Sequence, residues 1–494
     1  MFPPPFRPKL TIITEDLTGN IIQEAFQILG EVGVYIENRD AYRLLREHGA
    51  EPASQDEKAK GVGRLKLPRK MVENALERAP RSIRLWDILG RERIDVGGDL
   101  VHFNPGSAAL YLHDFGARCI RKPATQDLQR FVHLVDRLPH YHLQSTALIS
   151  SDVPEAYGDS YRLYLALKLG RKPVVTGIFR KESFSFMKDM LAVVRGDEAE
   201  LERKPLAIFD ACPSPPLMWS DLTAHSVIEA ARAGIPSEFV SMPLTGSTAP
   251  VTLSGAVVQH AAETLSGVVL AQCTKPGAPV IWGGSPSAMD MRFGTTPMGA
   301  IETMMINLAD VCVGKALGFP TQVYMGLSDS KRVDYQAGLE SGMGLLLAAL
   351  AGVNVVSGPG MLDFESCQSL EKLVLDHEIC GMAYRMMEGI SRRDERMALD
   401  LLLSLSPGDH LLTDAHTIKW FRREISAPGK SIDRRARGSD RFEDLDTAEA
   451  RANQEVERIL SEESEPVLSG EVLRELEKMM KAELKKAGAD GLPA

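Results

Sequence analysis

The sequence has no long apolar run, and this limits where the protein can work. No stretch approaches the ~18 consecutive apolar residues that a transmembrane helix requires. The N-terminus, MFPPPFRPKL, also lacks the apolar core of a secretory signal peptide. We therefore expect a cytoplasmic protein with no membrane partner.

Positive charge is also in short supply. The chain carries 57 Lys and Arg residues against 67 Asp and Glu residues, a formal net charge of −10. Nucleic acids and anionic membranes are bound through clustered basic surfaces, so neither is an expected partner. The charge balance suits an enzyme that attracts cations.

Cysteine motifs, metal motifs and nucleotide motifs are missing as well. The six cysteines are scattered and form no CxxC pair, which argues against a zinc ribbon or a disulfide framework. The sequence has no HExxH motif and no cluster of Cys and His residues, so we predict no metal site. It has neither a GxGxxG after a strand nor a Walker loop, so nucleotide binding has no support.

What the sequence does contain is a repeat. Between residues 101 and 360, a β-rich run that ends in a small or polar residue is followed by a helix-length amphipathic segment, eight times over. The eight runs are VHFNPGS (101–107), YHLQSTALIS (141–150), KPVVTGIF (172–179), KPLAIFDAC (204–212), IPSEFVSMP (235–243), APVIWGGS (278–285), FPTQVYMG (319–326) and VNVVSGPG (353–360). This alternation predicts an α/β fold, a (β/α)8 TIM barrel.

The flanking segments predict helical N- and C-terminal additions to this barrel. We expect residues 1–100 to form an N-terminal helical region with a β-hairpin at 81–99, and the pattern over 14–80 is helical. Residues 101–390 are predicted to be the catalytic barrel, and 391–494 a C-terminal helical extension. A further hairpin is predicted at 108–121, after the first barrel strand.

Aromatic side chains and carboxylates both gather at the predicted strand ends, where TIM barrels carry their chemistry. The aromatic residues include Phe179, Trp282 and Tyr324, and the carboxylates include Asp210 and Asp290. Together they suit a quaternary ammonium group, which binds through cation–π contacts and nearby anions. Barrel strands favour aromatic residues anyway, so any one of them could equally be a core residue.

Five segments resemble the trimethylamine methyltransferase family, and the resemblance covers nearly the whole chain. They are NPGSAA (104–109), WGGSPSAMDMRFGTTPMGAIE (282–302), GLSDSKRVDYQAGLES (326–341), VSGPGML (356–362) and LDHEICGM (375–382). The resemblance implies a barrel enzyme that moves a methyl group from a methylated amine to the cobalt of a separate corrinoid protein. The corrinoid (cobalamin) would come with that partner, and no tightly bound cofactor is implied.

Some members of this family carry pyrrolysine, and those without it act on quaternary amines such as glycine betaine, proline betaine or carnitine. This chain has only standard residues, with Lys331 nearest to the pyrrolysine position, so the resemblance implies a quaternary amine substrate. Such an amine leaves as a neutral tertiary amine, and the enzyme mainly has to position it. We expect Arg292, Lys331 or Arg332 to bind the substrate carboxylate.

The strand-end pattern and the resemblance together predict the site residues. Three residues in the loop after strand seven are predicted to be catalytic: Asp329, Lys331 and Asp334. Substrate contacts are predicted for eight residues: Asn104, Phe179, Asp210, Trp282, Asp290, Arg292, Tyr324 and Gln336. On composition alone, the loop after strand seven could also be a solvated surface loop.

Two other functions stay open at this point. A lyase or aldolase could use Lys331 as a Schiff base, which trapping with borohydride would reveal. A non-catalytic betaine-binding protein would bind its ligand without methyl transfer. The sequence leaves a homo-oligomer possible and does not identify the particular quaternary amine.

Overall fold

The computed structural model describes residues 6–54, 61–394, 396–438, 441, 446–463, 466–486, 488 and 491–493. The strands, numbered in chain order, are β1 (Val34–Ile36), β2 (Glu51–Pro52), β3 (Gly63–Lys66), β4 (Ser82–Trp86), β5 (Arg93–Gly97), β6 (His102–Asn104), β7 (Tyr111–Asp114), β8 (Cys119–Arg121), β9 (Gln144–Ser145), β10 (Val174–Thr176), β11 (Ala207–Ala211), β12 (Met218–Trp219), β13 (Ser237–Ser241), β14 (Leu244–Thr245), β15 (Val280–Gly284), β16 (Ser287–Ala288), β17 (Gln322–Val323), β18 (Val355–Ser357), β19 (Met361–Leu362) and β20 (Cys367–Gln368).

The α-helices of the described residues, numbered in the same way, are α1 (Glu15–Glu31), α2 (Arg39–Glu47), α3 (Arg69–Arg78), α4 (Thr125–Arg137), α5 (Gly158–Leu169), α6 (Lys181–Arg195), α7 (Glu198–Arg203), α8 (Asp221–Ala233), α9 (Leu253–Thr274), α10 (Ile301–Ala316), α11 (Tyr335–Leu350), α12 (Leu370–Met387), α13 (Leu399–Leu403), α14 (Ala415–Glu424), α15 (Ala448–Leu460) and α16 (Gly470–Lys486). None of these helices is long and apolar enough to cross a membrane.

Eight parallel strands form a closed barrel. One ladder runs β9, β10, β11, β13, β15 and a second runs β17, β18, β6. Single parallel bridges join the two ladders, from Trp282 to Thr321 on one side and from Phe103 to Tyr141 on the other. Each of the eight strands falls within a predicted run, so the predicted (β/α)8 barrel is confirmed.

Side chains alternate between the inside and the outside of the barrel, because successive residues of a strand point to opposite faces. Leu143, Val175, Ile208, Ile281 and Val355 form an interior cluster together with three side chains of the β4–β5 hairpin. That hairpin pairs in antiparallel register, as predicted, and fills the N-terminal end of the barrel. The barrel is therefore open at its C-terminal mouth.

The N-terminal region packs onto the outside of the barrel. Helices α1, α2 and α3 share one hydrophobic core with the long helix α9. The predicted helical pattern over 14–80 is interrupted by the strands β1 and β3, which pair with each other, and β1 also pairs with the distant β12. Such short strands form because of a partner far away in sequence, which a local pattern does not reveal.

The C-terminal extension has two parts with different packing. Helices α15 and α16 bury Val456, Ile459, Leu476 and Met480 in the main hydrophobic core of the molecule. Between them and α12 lie the short helices α13 and α14, neither of which has a buried residue. Among the described residues between α12 and α14, α-helix is confined to Leu399–Leu403. The three-region division of the chain stays a prediction.

Candidate active site at the barrel mouth

A cavity of about 420 Å³ opens at the C-terminal mouth of the barrel. Its wall is built from loops after six of the eight strands and from helices α5 and α8. The lining residues are Ser107, Ala108, Leu110, Arg162, Gly177, Ile178, Phe179, Asp210, Cys212, Leu222, Thr223, Ser226, Val240, Met242, Tyr324, Phe364, Glu365 and Ser366. The volume is in the range of small-molecule sites, which are roughly 300–1,000 Å³.

Three carboxyl groups meet at this mouth. Asp210 and Glu238 lie side by side on the neighbouring strands β11 and β13. Asp210 is two residues after Ile208, whose side chain points into the barrel, so the Asp210 side chain points inward as well. Burial raises the pKa of Asp210 to about 7, although Glu238 and Arg162 lower it. Burial and the charge of Asp210 raise the pKa of Glu365 to about 8.

Glu238 lies deepest of the three and is fully buried. Burial, and then the neighbouring Asp210, raise its pKa well above the ordinary value of a glutamate. Apart from the facing Asp210 carboxyl, neither of its oxygens finds a hydrogen-bond partner among the described residues. A buried carboxyl pair of this kind carries fewer than two negative charges near neutral pH, and a bound cation would favour its ionisation.

Among the described residues, Arg162 from helix α5 is the one arginine that lines the cavity. Its side chain is buried, and Nη1 donates a hydrogen bond of 2.7 Å to the Thr146 carbonyl oxygen. Its Nε finds no hydrogen-bond partner in the described part of the chain. Its guanidinium carbon lies 4.6 Å from the centroid of the Phe179 ring, and burial lowers the pKa of Arg162 to about 10.

Aromatic rings stand beside these charges. Tyr324 is buried just after β17, and Phe179 is half-exposed just after β10. The backbone N–H of Phe179 donates to the buried Asp159 carboxylate at 2.7 Å, which fixes the base of that ring. Phe364 completes the aromatic wall.

The loop that supplies Phe364 and Glu365 is strained. Asp363, Phe364 and Glu365 have φ angles of 51°, 56° and 74°, three successive non-glycine residues in the left-handed region. Each such residue costs roughly 1–2 kcal/mol. Two hydrogen bonds hold the turn: Asp363 N–H donates to the Ser330 carbonyl at 2.9 Å, and Ser366 Oγ donates to the Asp363 carboxylate at 3.0 Å. Strain of this kind concentrates at functional sites.

The three predicted catalytic residues lie next to the mouth and do not line the cavity. Asp329 accepts hydrogen bonds from the backbone N–H groups of Met298 (2.7 Å) and Gly299 (3.0 Å), and burial raises its pKa to about 6. Lys331 is half-exposed, with Nζ 3.3 Å from the Asp363 carboxylate and 3.8 Å from the centroid of the Phe364 ring. Both residues therefore hold loops that shape the mouth.

Asp334 is the N-cap of helix α11. Its Oδ1 accepts hydrogen bonds from the backbone N–H of Ala337 (3.1 Å) and from Ser330 Oγ (3.0 Å). The cap satisfies one of the N–H groups that a helix N-terminus leaves unpaired. Its geometry gives this carboxylate a structural task, where the sequence predicted a catalytic one.

We expect Asp334→Ala to lower the free energy of unfolding by about 1 kcal/mol, the usual cost of losing an N-cap. The activity of the folded variant should stay within about twofold of that of the unmodified protein. Asp40→Ala is the matched control, because Asp40 is exposed and pairs with Arg43 in the first turn of α2. A large loss of activity with unchanged stability would return Asp334 to the catalytic group.

Trp282 does not face the cavity. On β15 it follows the inward Ile281, so its ring lies between the strands and the helices, stacked 6.0 Å from the Phe319 ring. A side-chain carbon at Gly314 of α10 would come within 2.6 Å of the ring, which shows how closely the helix packs there. The expected substrate contact for Trp282 is corrected by this placement in the core.

Four other predicted substrate contacts also lie outside the cavity wall. Asp290 and Arg292 form an ion pair in the loop after β16, and Arg292 is 80% exposed. Gln336 donates to Glu340 on the outer surface of α11 at 2.9 Å. Asn104 is buried at the end of β6, where its side-chain amide donates to Ser357 Oγ at 3.2 Å.

The structure thus brings three of the predicted residues, Phe179, Asp210 and Tyr324, together in one cavity. It adds Arg162 and Glu365 to the wall, with Glu238 behind Asp210. Glu238 had a signal in the sequence, since a charged residue inside the apolar run IPSEFVSMP is unusual for a buried strand. Within the described ranges, no group of three or more His, Cys, Asp or Glu side chains could hold a metal ion.

A closed (β/α)8 barrel with buried carboxyls and aromatic rings at its C-terminal mouth defines a barrel enzyme. The family model described as trimethylamine methyltransferase (MTTB) matches residues 5–488, so the chain belongs to this family of methyltransferases.

Similar proteins agree with this assignment. A glycine betaine methyltransferase of Desulfitobacterium hafniense is 31% identical over 98% of this chain and 99% of its own length. A trimethylamine methyltransferase of Methanosarcina thermophila is 30% identical over 95% of this chain and 96% of its own. The crystal structure of the monomethylamine methyltransferase of Methanosarcina barkeri has a TM-score of 0.52 at 12% identity, over 78% of this chain and 76% of that one, and supports the fold.

Proposed function

We propose that this protein transfers a methyl group from a carboxylated quaternary amine, of the glycine betaine, proline betaine or carnitine type, to the cobalt of a separate corrinoid protein. The observation that carries the proposal is the group of buried and half-buried carboxyls beside aromatic rings at the open barrel mouth. A quaternary ammonium group has no N–H to donate in a hydrogen bond, and its charge is spread over its methyl groups. Aromatic rings and nearby anions are therefore the groups that bind it. The glycine betaine methyltransferase similar to this chain supports the choice of substrate class.

The cavity can bind both ends of such a zwitterion. The ammonium end lies against Tyr324 and Phe179, with Asp210 and Glu365 as counter-ions, and each cation–π contact contributes roughly 0.5–2 kcal/mol. The carboxylate end pairs with Arg162, whose Nε has no hydrogen-bond partner in the described structure. This proposal gives Arg162 the task that the sequence analysis expected of Arg292, Lys331 or Arg332.

The methyl acceptor approaches from the mouth, since the hairpin fills the other end of the barrel. A reduced corrinoid supplies the nucleophile when its carrier protein is bound. The residues of this chain hold the amine so that one N–CH₃ bond faces the opening, and they keep water away from that bond. Positioning of this kind can lower the activation free energy by about 7–11 kcal/mol.

The protonation of the carboxyl groups also responds to the loss of positive charge on the amine after methyl transfer. As the methyl group leaves, the nitrogen loses its positive charge, so permanently ionised carboxylates would favour the substrate over the transition state. Glu365, whose pKa is raised to about 8, is ionised while it faces the quaternary ammonium and can take up a proton once the nitrogen is neutral, so that its negative charge does not persist beside the tertiary amine.

Incubation with a panel of amines tests the proposal. Glycine betaine, proline betaine, carnitine and trimethylamine are each supplied with reduced corrinoid protein, and the loss of the cobalt(I) absorbance is followed. We expect turnover with a betaine and little with trimethylamine. Betaine binding without turnover would favour a binding protein, and borohydride trapping of Lys331 with a carbonyl compound would favour the lyase.

We further expect the affinity for glycine betaine to rise with pH between about pH 6 and about pH 9. Asp210 and Glu365 have raised pKa values near 7 and 8, so they are largely protonated at the lower pH and ionise as the pH increases. Calorimetric titration should show about a tenfold change in Kd for one coupled proton over one pH unit. The control ligand is 3,3-dimethylbutanoate, which has carbon in place of the charged nitrogen and should show no such rise. A flat profile for glycine betaine would remove these carboxyls from the cation site.

A further inference from the structure

One segment of the chain is ordered without a core of its own. Helices α13 and α14 and their connections span residues 391–430, which we term the arm. Among the described residues of the arm none is buried, whereas α15 and α16 further along the chain contribute to the main core. A helix as short as α13 or α14 is unstable alone in water, so helical arms need a surface to pack on.

The arm nevertheless has a defined internal shape. Asp394 accepts hydrogen bonds from Lys419 Nζ and Trp420 Nε1, both at 2.8 Å. Arg393 pairs with Glu424 at the end of α14, and Arg385 of α12 pairs with the same carboxylate. These polar contacts fold the arm back on itself and tie it to α12.

The apolar side chains of the arm point away from these contacts, into solvent. Nine are exposed by at least 38%: Met397, Leu399, Leu402, Leu403, Leu405, Leu412, Ile418, Phe421 and Ile425. Three more exposed apolar side chains, Met382, Met386 and Ile390, lie at the end of α12, and they line a cavity of about 800 Å³ together with residues 426–429 of the arm. A monomeric surface rarely carries a contiguous apolar patch above roughly 300–600 Å².

We propose that the arm packs on a second copy of this chain and that the protein is a homodimer. With about 100 Å² for each fully exposed aliphatic side chain, the twelve residues present roughly 700 Å² of apolar surface. This is close to the ~800 Å² that each partner contributes to a stable interface. A face so rich in leucine and isoleucine is typical of permanent homodimers.

The position of the arm also favours a second copy over the methyl acceptor. In a (β/α)8 unit each helix runs back from the mouth, so the end of α12 at Met387 lies near the N-terminal end of the barrel. The arm begins there, away from the cavity that the acceptor has to reach. The proposal therefore needs no assumption about the reaction.

The test measures the mass of the full-length chain by light scattering from about 1 µM upward. We expect a dimer for the unmodified protein. The variant Leu403→Glu/Ile418→Glu/Phe421→Glu should be a monomer, with the dissociation constant raised by at least about 100-fold. The control is Leu100→Glu/Ile120→Glu/Val251→Glu, which adds the same charge at exposed apolar residues outside the arm and should stay a dimer. Amide hydrogen exchange over Ala415–Glu424 should be slow in the dimer and fast in the arm variant.

A monomeric unmodified protein at every concentration would overturn the proposal and leave the arm to a different protein. A dimer that survives the arm substitutions would also overturn it, because another face would then form the interface. Circular dichroism separates loss of the dimer from loss of the fold, since the substituted side chains support no buried contact.

Discussion

Asp210→Asn should reduce methyl transfer from glycine betaine by at least about 100-fold, a loss of roughly 2.7 kcal/mol in transition-state stabilisation. The amide keeps the shape of the side chain and removes the negative charge that faces both Glu238 and the cavity. Single-turnover kinetics with a reduced corrinoid protein measure this effect. The loss should appear mainly in Kd, because the carboxylate attracts the full positive charge of the bound substrate more strongly than the reduced charge of the transition state.

The same substitution should leave the protein as stable as before or make it more stable. The folded-state pKa of Asp210 is raised to about 7, so ionisation of this carboxyl weakens the folded state as the pH increases from about 4 to about 7. An asparagine has no such cost. The matched control is Asp290→Asn, which changes a half-buried carboxylate of the rim that is paired with Arg292. If both variants lose activity alike, a general charge effect at the mouth would replace the specific role of Asp210.

Trp282→Ala should have the opposite pattern and destabilise the fold by about 3–5 kcal/mol, the usual cost of emptying a large buried site. The ring is 1% exposed and packs against Phe319, His260 and α10, so its loss leaves a cavity between the sheet and the helices. Urea denaturation measures the change. Betaine binding by the protein that remains folded should be unaffected.

The comparison for Trp282 is Phe179→Ala. Phe179 is 42% exposed at the mouth, so its removal should cost little stability and roughly 0.5–2 kcal/mol of betaine affinity. The two aromatic residues were predicted to share one role, and the structure gives them different ones. Weaker betaine binding in a stable Trp282→Ala protein would contradict the structural account.

This contrast shows what the sequence could establish about the barrel. The repeat of apolar runs and amphipathic segments located all eight strands, because parallel strands are covered on both faces and read as continuous apolar stretches. The same property hides which residues point inward. In VIWGG of β15, Ile281 and Trp282 are both apolar, and a shift of one residue exchanges the inside for the outside.

The candidate site was predictable in part for the same reason. Asp210 and Tyr324 lie at the C-terminal ends of their strands. Residues at such positions are candidates for the site of a barrel enzyme even when the sequence does not show which side chains point inward. Arg162 reaches the cavity from a crossover helix that is buried nearly all round, so no periodicity marks it. In the C-terminal region, the spacing of Ala452, Val456 and Ile459 fits a buried helical face, although the surrounding charges are equally typical of a solvated helix.

The β4–β5 hairpin that closes the N-terminal end of the barrel has a consequence for the order of events in a catalytic cycle. Because Ile83, Leu85 and Val96 fill that end, the amine and the methyl acceptor must both reach the site through the C-terminal mouth of the barrel. The amine has to enter first, and an acceptor protein seated on the mouth then traps it until transfer is complete. The demethylated amine can leave only after the acceptor departs. The kinetics should therefore follow a compulsory sequence, with excess acceptor protein slowing the cycle by occupying the empty enzyme.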